Sequence, residues 1–497
     1  MKICYYLVLM FSLCSCKANE TDAKNTNKED GGIKVITTDL QSKIDKCSQT
    51  GGGIVSLPAG NYLCGTLYLK SNVTLNLEKG AVLFGSRNIA DYPEKGRRKA
   101  LVFAENATNI AITGEGEING NGDAFTQANN APDRPVLVQF FDCKDVIVNG
   151  IKMKNSGFWT FRFVRCDGVD IADIDIESHV NWNNDGFDIE SRNVTIRNCT
   201  VNTDDDALCF KSEDPDFTVE NIIVDSCRLA SNCNYIKFGT ASAGGFRNVK
   251  VSNCVLTKCT SSNYRTWEKT VPGVTEPITG IAGIALEVVD GGFMENIHIS
   301  DIEMNDVQTP VFIRLGRRKV SDLSYLKNAV IENIKALSVS YVASSITGVP
   351  GLRVEGITLR NLDLRLKAGG KVADTGLNVP EAEASYPENR MFGVMLPASG
   401  FYIRHADNIL FDNVRLSFVG GREERYTFVA DDVNGLTIGN STLQAPDGDL
   451  PVFFFKSCKS LDLSRNLQIS GSYSSLYQTD NTPESEILTF SQPLQRF

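Results

Sequence analysis

Residues 181–212, from Asn181 to Ser212, read NWNNDGFDIESRNVTIRNCTVNTDDDALCFKS. Two acidic clusters, Asp185 with Asp188 and Asp204-Asp205-Asp206, bracket an apolar run. That run, NVTIRNCTV from Asn193, alternates with period two, as a half-buried strand does. Asp185 and Asp205 lie 20 residues apart, close to one coil of a solenoid built from strands. In such a fold both clusters return to one wall on adjacent coils about 4.8 Å apart, and paired carboxyls are the usual means of breaking a glycosidic bond. Turns also favour Asp for conformational reasons alone, so the reading depends on how far the repeat extends.

The repeat runs through most of the chain. It opens at Asn72 (NVTLNLEKG), Asn109 (NIAITGEGEING), Asp145 (DVIVNGIKM), Gly168 (GVDIADIDI), Asn193, Asn221 (NIIVDSCRL), Asn248 (NVKVSNCVL) and Asn296 (NIHISDIEM). Later copies start at Asn328, Gly356, Asn408, Gly435 and Ser460. Starts from Asp145 to Asn248 are 23, 25, 28 and 27 residues apart. An apolar spacing of two excludes helical solenoids, and the LxxLxL pattern of leucine-rich repeats is absent. The fold expected is all-β, a parallel β-helix over residues 34–470 in which each coil buries its apolar face against the next. Long intervals of 48 residues after Asn248 and 52 after Gly356 predict insertions near 259–282 and 366–400, beside the groove. Residues 471–497 read as a C-terminal extension. Residues 38–49 predict a helix, capped by Thr38 or Asp39 and followed by Gly51, that closes the open end of the first coil.

The chain has 14 cysteines, yet Cys199, Cys227 and Cys254 each follow a repeat start by six residues. Stacked coils would align them, which predicts a buried thiol ladder in place of disulfides. The first 16 residues, MKICYYLVLMFSLCSC, read as a signal peptide. Leu13-Cys14-Ser15-Cys16 resembles a bacterial lipobox, which implies a lipid on Cys16 and an exported lipoprotein of the outer membrane, cell surface or periplasm. Its membrane contact would be through that lipid alone. Residues 17–33 read as a flexible tether. A net charge of −10 without a basic block excludes nucleic acid as a partner. No cofactor or metal is expected.

The stretch GGGIVSLPAGNYLCGTLYLKSNVTLNLEKGAVLFGS from Gly51, then Asp91-Tyr92-Pro93, NIAITGEGEINGNG and RPVLVQFFDCKDVIVNGIKMKNSGFWTFRFVRCDGVDI, resembles the polygalacturonase-like glycoside hydrolases, family 28. The resemblance covers roughly residues 33–465. It implies a right-handed parallel β-helix and inverting hydrolysis of α-linked sugars in pectin-type polysaccharides or oligosaccharides. Asn183-Asn184-Asp185 is similar to the family's Asn-Thr-Asp motif, and Asp205-Asp206 to its Asp-Asp motif. The resemblance implies that Asp205 is the general acid, while Asp185 and Asp206 hold and activate water. Tyr386-Pro387-Glu388, through RMFGVMLPASGFYIRHADNILFDNV, resembles a segment of bacterial members and assigns no role.

Two family motifs are not kept. Gly-His-Gly falls at Cys233-Asn234-Tyr235, and Arg-Ile-Lys at Ala285-Leu286-Glu287. Asn234, Lys237 and Glu287 are therefore candidate substrate-binding residues with an altered preference. If Glu287 faces the groove, it reverses the charge that binds a uronate and points to a neutral or deoxy sugar. The alternative is a Glu287 that is displaced, solvated or salt-bridged, with Lys237 as a partner. Arg314 and Arg404 are candidate compensating cations, Asn183 a motif contact, and Trp182 a sugar-stacking ring. The insertions suggest attack from a chain end. Two other classes stay open: a glycan-binding relative without activity, and a Ca²⁺-dependent lyase using Lys211 or Lys237 as base.

Overall fold

The computed structural model describes residues 29–30, 33–94, 99–126, 133–319, 321 and 323–489. The expected signal peptide, Cys16 and most of the tether lie outside the described residues. Where the tether was expected to end, Glu29–Asp30 instead pairs antiparallel with Ile33–Val35.

Each repeat opens on a left-handed residue, which explains why Asn, Asp or Gly stands there. Asn193, Asn221, Asn248 and Asn296 have φ of 55–57°, and Gly168 takes 75° at the same place. Their amides form a ladder, Asn221 Nδ2 donating to Asn193 Oδ1 at 3.1 Å and Asn248 Nδ2 to Asn221 Oδ1 at 3.3 Å. After this corner the chain runs straight until the next one, and the coil closes. Strands stack in parallel on their counterparts one coil away, giving a right-handed parallel β-helix.

One sheet positions the candidate site. Its strands include Phe161–Ala172, Phe187–Arg197, Leu208–Ser212, Ile236–Ser242 and Gly280–Val288. Phe187 pairs with Phe161 and Leu208, and Lys237 with Cys209 and Ala285. Period-two alternation sends Phe187 and Ile189 into the core and Asp188 to the outer face. Inside, like rings pack in register: Phe161 stacks on Phe187 at 5.3 Å between centroids, and Phe210 lies tilted against Phe238 at 4.7 Å. Each such ring contributes about 1.5–3 kcal/mol by leaving water.

The helix spans Thr37–Gln49 and covers the first coils. Its N-cap is Ile36, with no side-chain cap bond, so neither Thr38 nor Asp39 caps it. Asp39 lies in the first turn and pairs with Lys43 at 3.0 Å. The solenoid also runs past residue 470: Tyr477–Asp480 and Ile487–Leu488 pair with the preceding coil, so the expected extension carries further β-helix. Cys199, Cys227 and Cys254 are free and buried, each thiol donating to the carbonyl two residues before it. Strands cease between Lys258 and Gly280, and between Lys367 and Ala398. These are the two insertions, and both stand over the site sheet.

Candidate active site

Asp185 lies on the turn that leads into Phe187–Arg197, and Asn184 shapes this turn. The buried Asn184 amide donates to the carbonyls of Ser156 and Phe158, both at 2.9 Å, and accepts from the Asn181 backbone at 2.7 Å. With Asn184 turned inward, Asp185 faces out. Arg134 fixes the neighbouring residues by donating to the Trp182 carbonyl and, at 3.0 Å, to Asn183 Oδ1.

Asp205 and Asp206 are adjacent, and adjacent residues of a strand would face opposite ways. They escape this because the strand Thr200–Thr203 has ended and Leu208–Ser212 has not begun. The corner is held by Thr203 Oγ1 and Ser231 Oγ, which donate to the Asp205 carbonyl at 3.0 and 2.7 Å. Gly186 N donates to the Asp206 carbonyl at 2.9 Å. Asp206, rather than Asp205, therefore stacks directly on Asp185. The coil step here is one residue longer than the Asp185–Asp205 spacing, since Phe187 pairs with Leu208.

These carboxyls share a cleft of about 510 Å³, also lined by Trp159, Asn183, Lys211, Asn234, Lys237 and Arg318. The insertions complete the wall with Arg265 and Trp267 from one and Tyr386-Pro387-Glu388 from the other. They meet through Arg390, which donates to the Thr270 carbonyl at 3.1 Å and lies 5.5 Å over the Trp267 ring.

Each cation of the lining answers a protein carboxylate. Lys211 Nζ is 2.9 Å from Asp188 and 3.6 Å from Asp185. Lys237 Nζ is 3.1 Å from Asp206, Arg265 Nη2 3.0 Å from Asp205, and Arg318 is bidentate on Asp290. The carboxyls divide accordingly. Burial, reinforced by the charges of Asp188 and Asp205, pushes Asp185 well above the usual carboxylate range. Burial would raise Asp206 too, but Lys237, Lys211 and the Asn234 amide hold it below that range. Two carboxyls whose surroundings push their pKa values apart in one cleft are the equipment of acid–base chemistry. Asp205, Asp206 and the Cys233 thiol also cluster within 4.8 Å, a set able to hold a cation. Arg265 and Lys237 already neutralise its carboxylates, and burial pushes the thiol well up, so acid–base use suits it better.

Of the residues singled out from sequence, Asp185, Asp205, Asp206, Asn183, Asn234 and Lys237 come together in the cleft. Trp182 stands outside the cleft lining, 54% exposed, its ring 5.8 Å from Tyr264. Three expectations are overturned. Glu287 does not line the cleft; it is 1% exposed, and burial pushes its pKa up to about 8. It is therefore protonated near neutral pH and brings no repelling charge. Arg314 donates to the carbonyls of Gly348, Glu381 and Ala382 at 2.8–3.0 Å, and burial lowers it to about 10. Arg404 donates to the Val379 carbonyl at 2.9 Å and pairs with Glu381. Both arginines face away from the cleft because they pin the second insertion to the sheet.

Arg265 and Trp267 escaped the sequence reading, and Glu388 was noted there without a role, since insertions carry no periodicity from which to infer facing. The aromatic and basic interleaving of NYRTWEK (Asn263 to Lys269), in a segment expected beside the groove, was the available signal.

The site is thus an acidic cleft on one sheet of a parallel β-helix, furnished for acid–base chemistry. The chain belongs to glycosyl hydrolases family 28, which its residues 47–385 match. It is 24% identical over 403 residues to a probable polygalacturonase of Vitis vinifera, covering 73% of this chain and 78% of that one. In structure it is similar to an exopolygalacturonase of Thermotoga maritima, with TM-score 0.59 and 21% identity over 80% of this chain and 90% of that one. The family 28 exopolygalacturonase of Yersinia enterocolitica gives TM-score 0.53 and 18% identity over 89% of this chain and 77% of that one.

Proposed function

We propose that this chain is an exported, inverting glycoside hydrolase that removes α-linked sugars from the ends of pectin-type polysaccharides or oligosaccharides. Asp185, Asp205 and Asp206 are its acid–base residues, and a non-uronate sugar occupies the subsite beside Asn234 and Ala285. The observation that carries this is the convergence of three carboxyls from two successive coils in one cleft walled by both insertions. The Arg390 bridge between those insertions supports attack from a chain end, because a joined wall obstructs a through-running polymer. Among the described residues, each of the four cations lining the cleft already faces a protein carboxylate. No unmatched charge there awaits a sugar carboxylate, and the two family cation positions hold Ala285 and a protonated Glu287.

The family resemblance puts the catalytic proton on Asp205. A second assignment, with Asp185 as the acid, is favoured because burial raises Asp185 well above the usual carboxylate range, while Asp205 is engaged by Arg265 at 3.0 Å. An activated aryl glycoside separates the two, since a good leaving group needs no protonation. It restores turnover only in the asparagine variant of the true acid.

The function is tested with a panel of structurally diverse pectic oligosaccharides, reading the released monosaccharide and its anomeric configuration. A neutral or deoxy monosaccharide released with inversion supports the proposal, and preference for galacturonate oligomers refutes the substrate assignment. Glycan affinity without released reducing ends indicates a binding relative. Unsaturated products that depend on added Ca²⁺ indicate a lyase. Against the lyase, the buried carboxylates around Lys211 and Lys237 hold both amines well above their ordinary pKa, a poor state for a base.

A further inference from the structure

Asp206 is the most fully engaged carboxylate of the cleft. One oxygen accepts both the backbone N–H of Asn234, at 3.1 Å, and its side-chain amide, at 2.7 Å. The other faces Lys237 Nζ at 3.1 Å. Lys237 is 4% exposed, and its ammonium also lies 3.4 Å from the Tyr386 hydroxyl and 5.6 Å from that ring. Asp185, by contrast, has one buried oxygen without a hydrogen bond, and shares Lys211 with the closer Asp188.

We propose that Lys237 is a positioning residue that keeps Asp206 ionised and aimed for activating water, rather than a contact for the substrate, and that Asn234 completes the clamp. Lys237 pairs in register with Ala285, where the family's Arg would stand. Geometry permits the clamp because residues in register on neighbouring strands are about 4.8 Å apart, within reach of a lysine stem. Tyr386, delivered by the second insertion, holds the ammonium from its other side.

The charges around Asp206 come from every neighbouring element. Its own coil gives Asp205, Cys209 and Lys211, and the preceding coil gives Asp185 and Asp188. The following coil gives Cys233 and Lys237, the next strand Glu287, and the insertion Tyr386. Lys211 lies closer to Asp188, Glu287 has its pKa pushed up to about 8, and Asp185 is raised well above the usual carboxylate range, which leaves Lys237 as the principal counter-charge.

This inference rests on the proposed hydrolase function, and the test separates the two. In Lys237→Gln the acid limb of the kcat/KM profile should move up by about one pH unit or more, the size of an opposite charge within hydrogen-bond distance. kcat should fall with KM little changed, and Lys237→Arg should restore the limb. A rise in KM confined to anionic substrates, with the limb unmoved, overturns the proposal and makes Lys237 a ligand contact. A second measurement needs neither turnover nor a Lys237 variant: infrared titration of the wild type, with Asp206→Asn subtracted to isolate one carboxyl. Asp206 still ionised at about pH 3 supports the proposal; protonation at the ordinary carboxylate pKa of about 3.9 overturns it. If no glycan is cut, the hydrolase reading fails while the infrared result still decides the clamp.

Discussion

Replacing Glu287 by Gln should stabilise the protein, and by an amount that grows with pH. Glu287 is 1% exposed, accepts from Thr240 Oγ1 at 3.4 Å, and has its pKa pushed from 4.5 to about 8 by burial, with Lys237 opposing and Asp206 reinforcing the shift. Between pH 4.5 and about 8 the unfolded chain has lost this proton and the folded chain keeps it, so folding takes up a proton and stability falls as pH rises. At about 1.4 kcal/mol per unit, the penalty is under about 1 kcal/mol at pH 5 and about 3 kcal/mol at pH 7. Gln keeps the shape and an acceptor for Thr240 without the titration. For a chain of 497 residues, about 1 °C of melting temperature corresponds to 1 kcal/mol. Thermal unfolding at one fixed scan rate should therefore show the variant ahead by about 3 °C at pH 7 and by under about 1 °C at pH 5. The raised carboxyls Asp185, Asp188 and Asp204 titrate in both proteins and drop out of the difference. An offset equal at the two pH values would refute the reasoning, because Glu287 would then ionise alike in folded and unfolded chains.

Asp205→Asn should lower the rate on natural glycans by at least ~10³, as removal of a principal acid or base does; near-normal turnover would move that role elsewhere. Arg390→Ala should loosen the joined wall, and chromatography should show longer fragments beside the monosaccharide. An unchanged product pattern would mean that the wall does not set the mode of attack. Trp182→Ala should raise KM for long oligosaccharides about five-fold, equivalent to about 1 kcal/mol of lost ring contact. An equal effect on the shortest substrate would show that Trp182 acts on the turn carrying Asp185 instead.

Much of the fold was legible in the chain because its causes are local. Period-two runs and a left-handed Asn or Gly at each corner recur at nearly fixed intervals, and only stacked coils let every copy bury the same face. That local code places Asp185 and the Asp205-Asp206 pair on one wall, and it aligns Cys199, Cys227 and Cys254. The register of that wall was read one residue short, since corner lengths vary without altering the strand pattern.

Only the tertiary structure decided which charges belong to the protein and which are offered to a ligand. Arg314, Arg404, Lys237 and Glu287 were all candidates for a sugar because each occupies a plausible row of the sheet. Two of them pin an insertion, one holds Asp206, and one is buried and protonated. The reason is that a charge's role depends on its counter-charge and its water: for Arg314 and Arg404 these come from an insertion whose landing point no repeat encodes, and for Lys237 and Glu287 from the coil corner and strand packed against them.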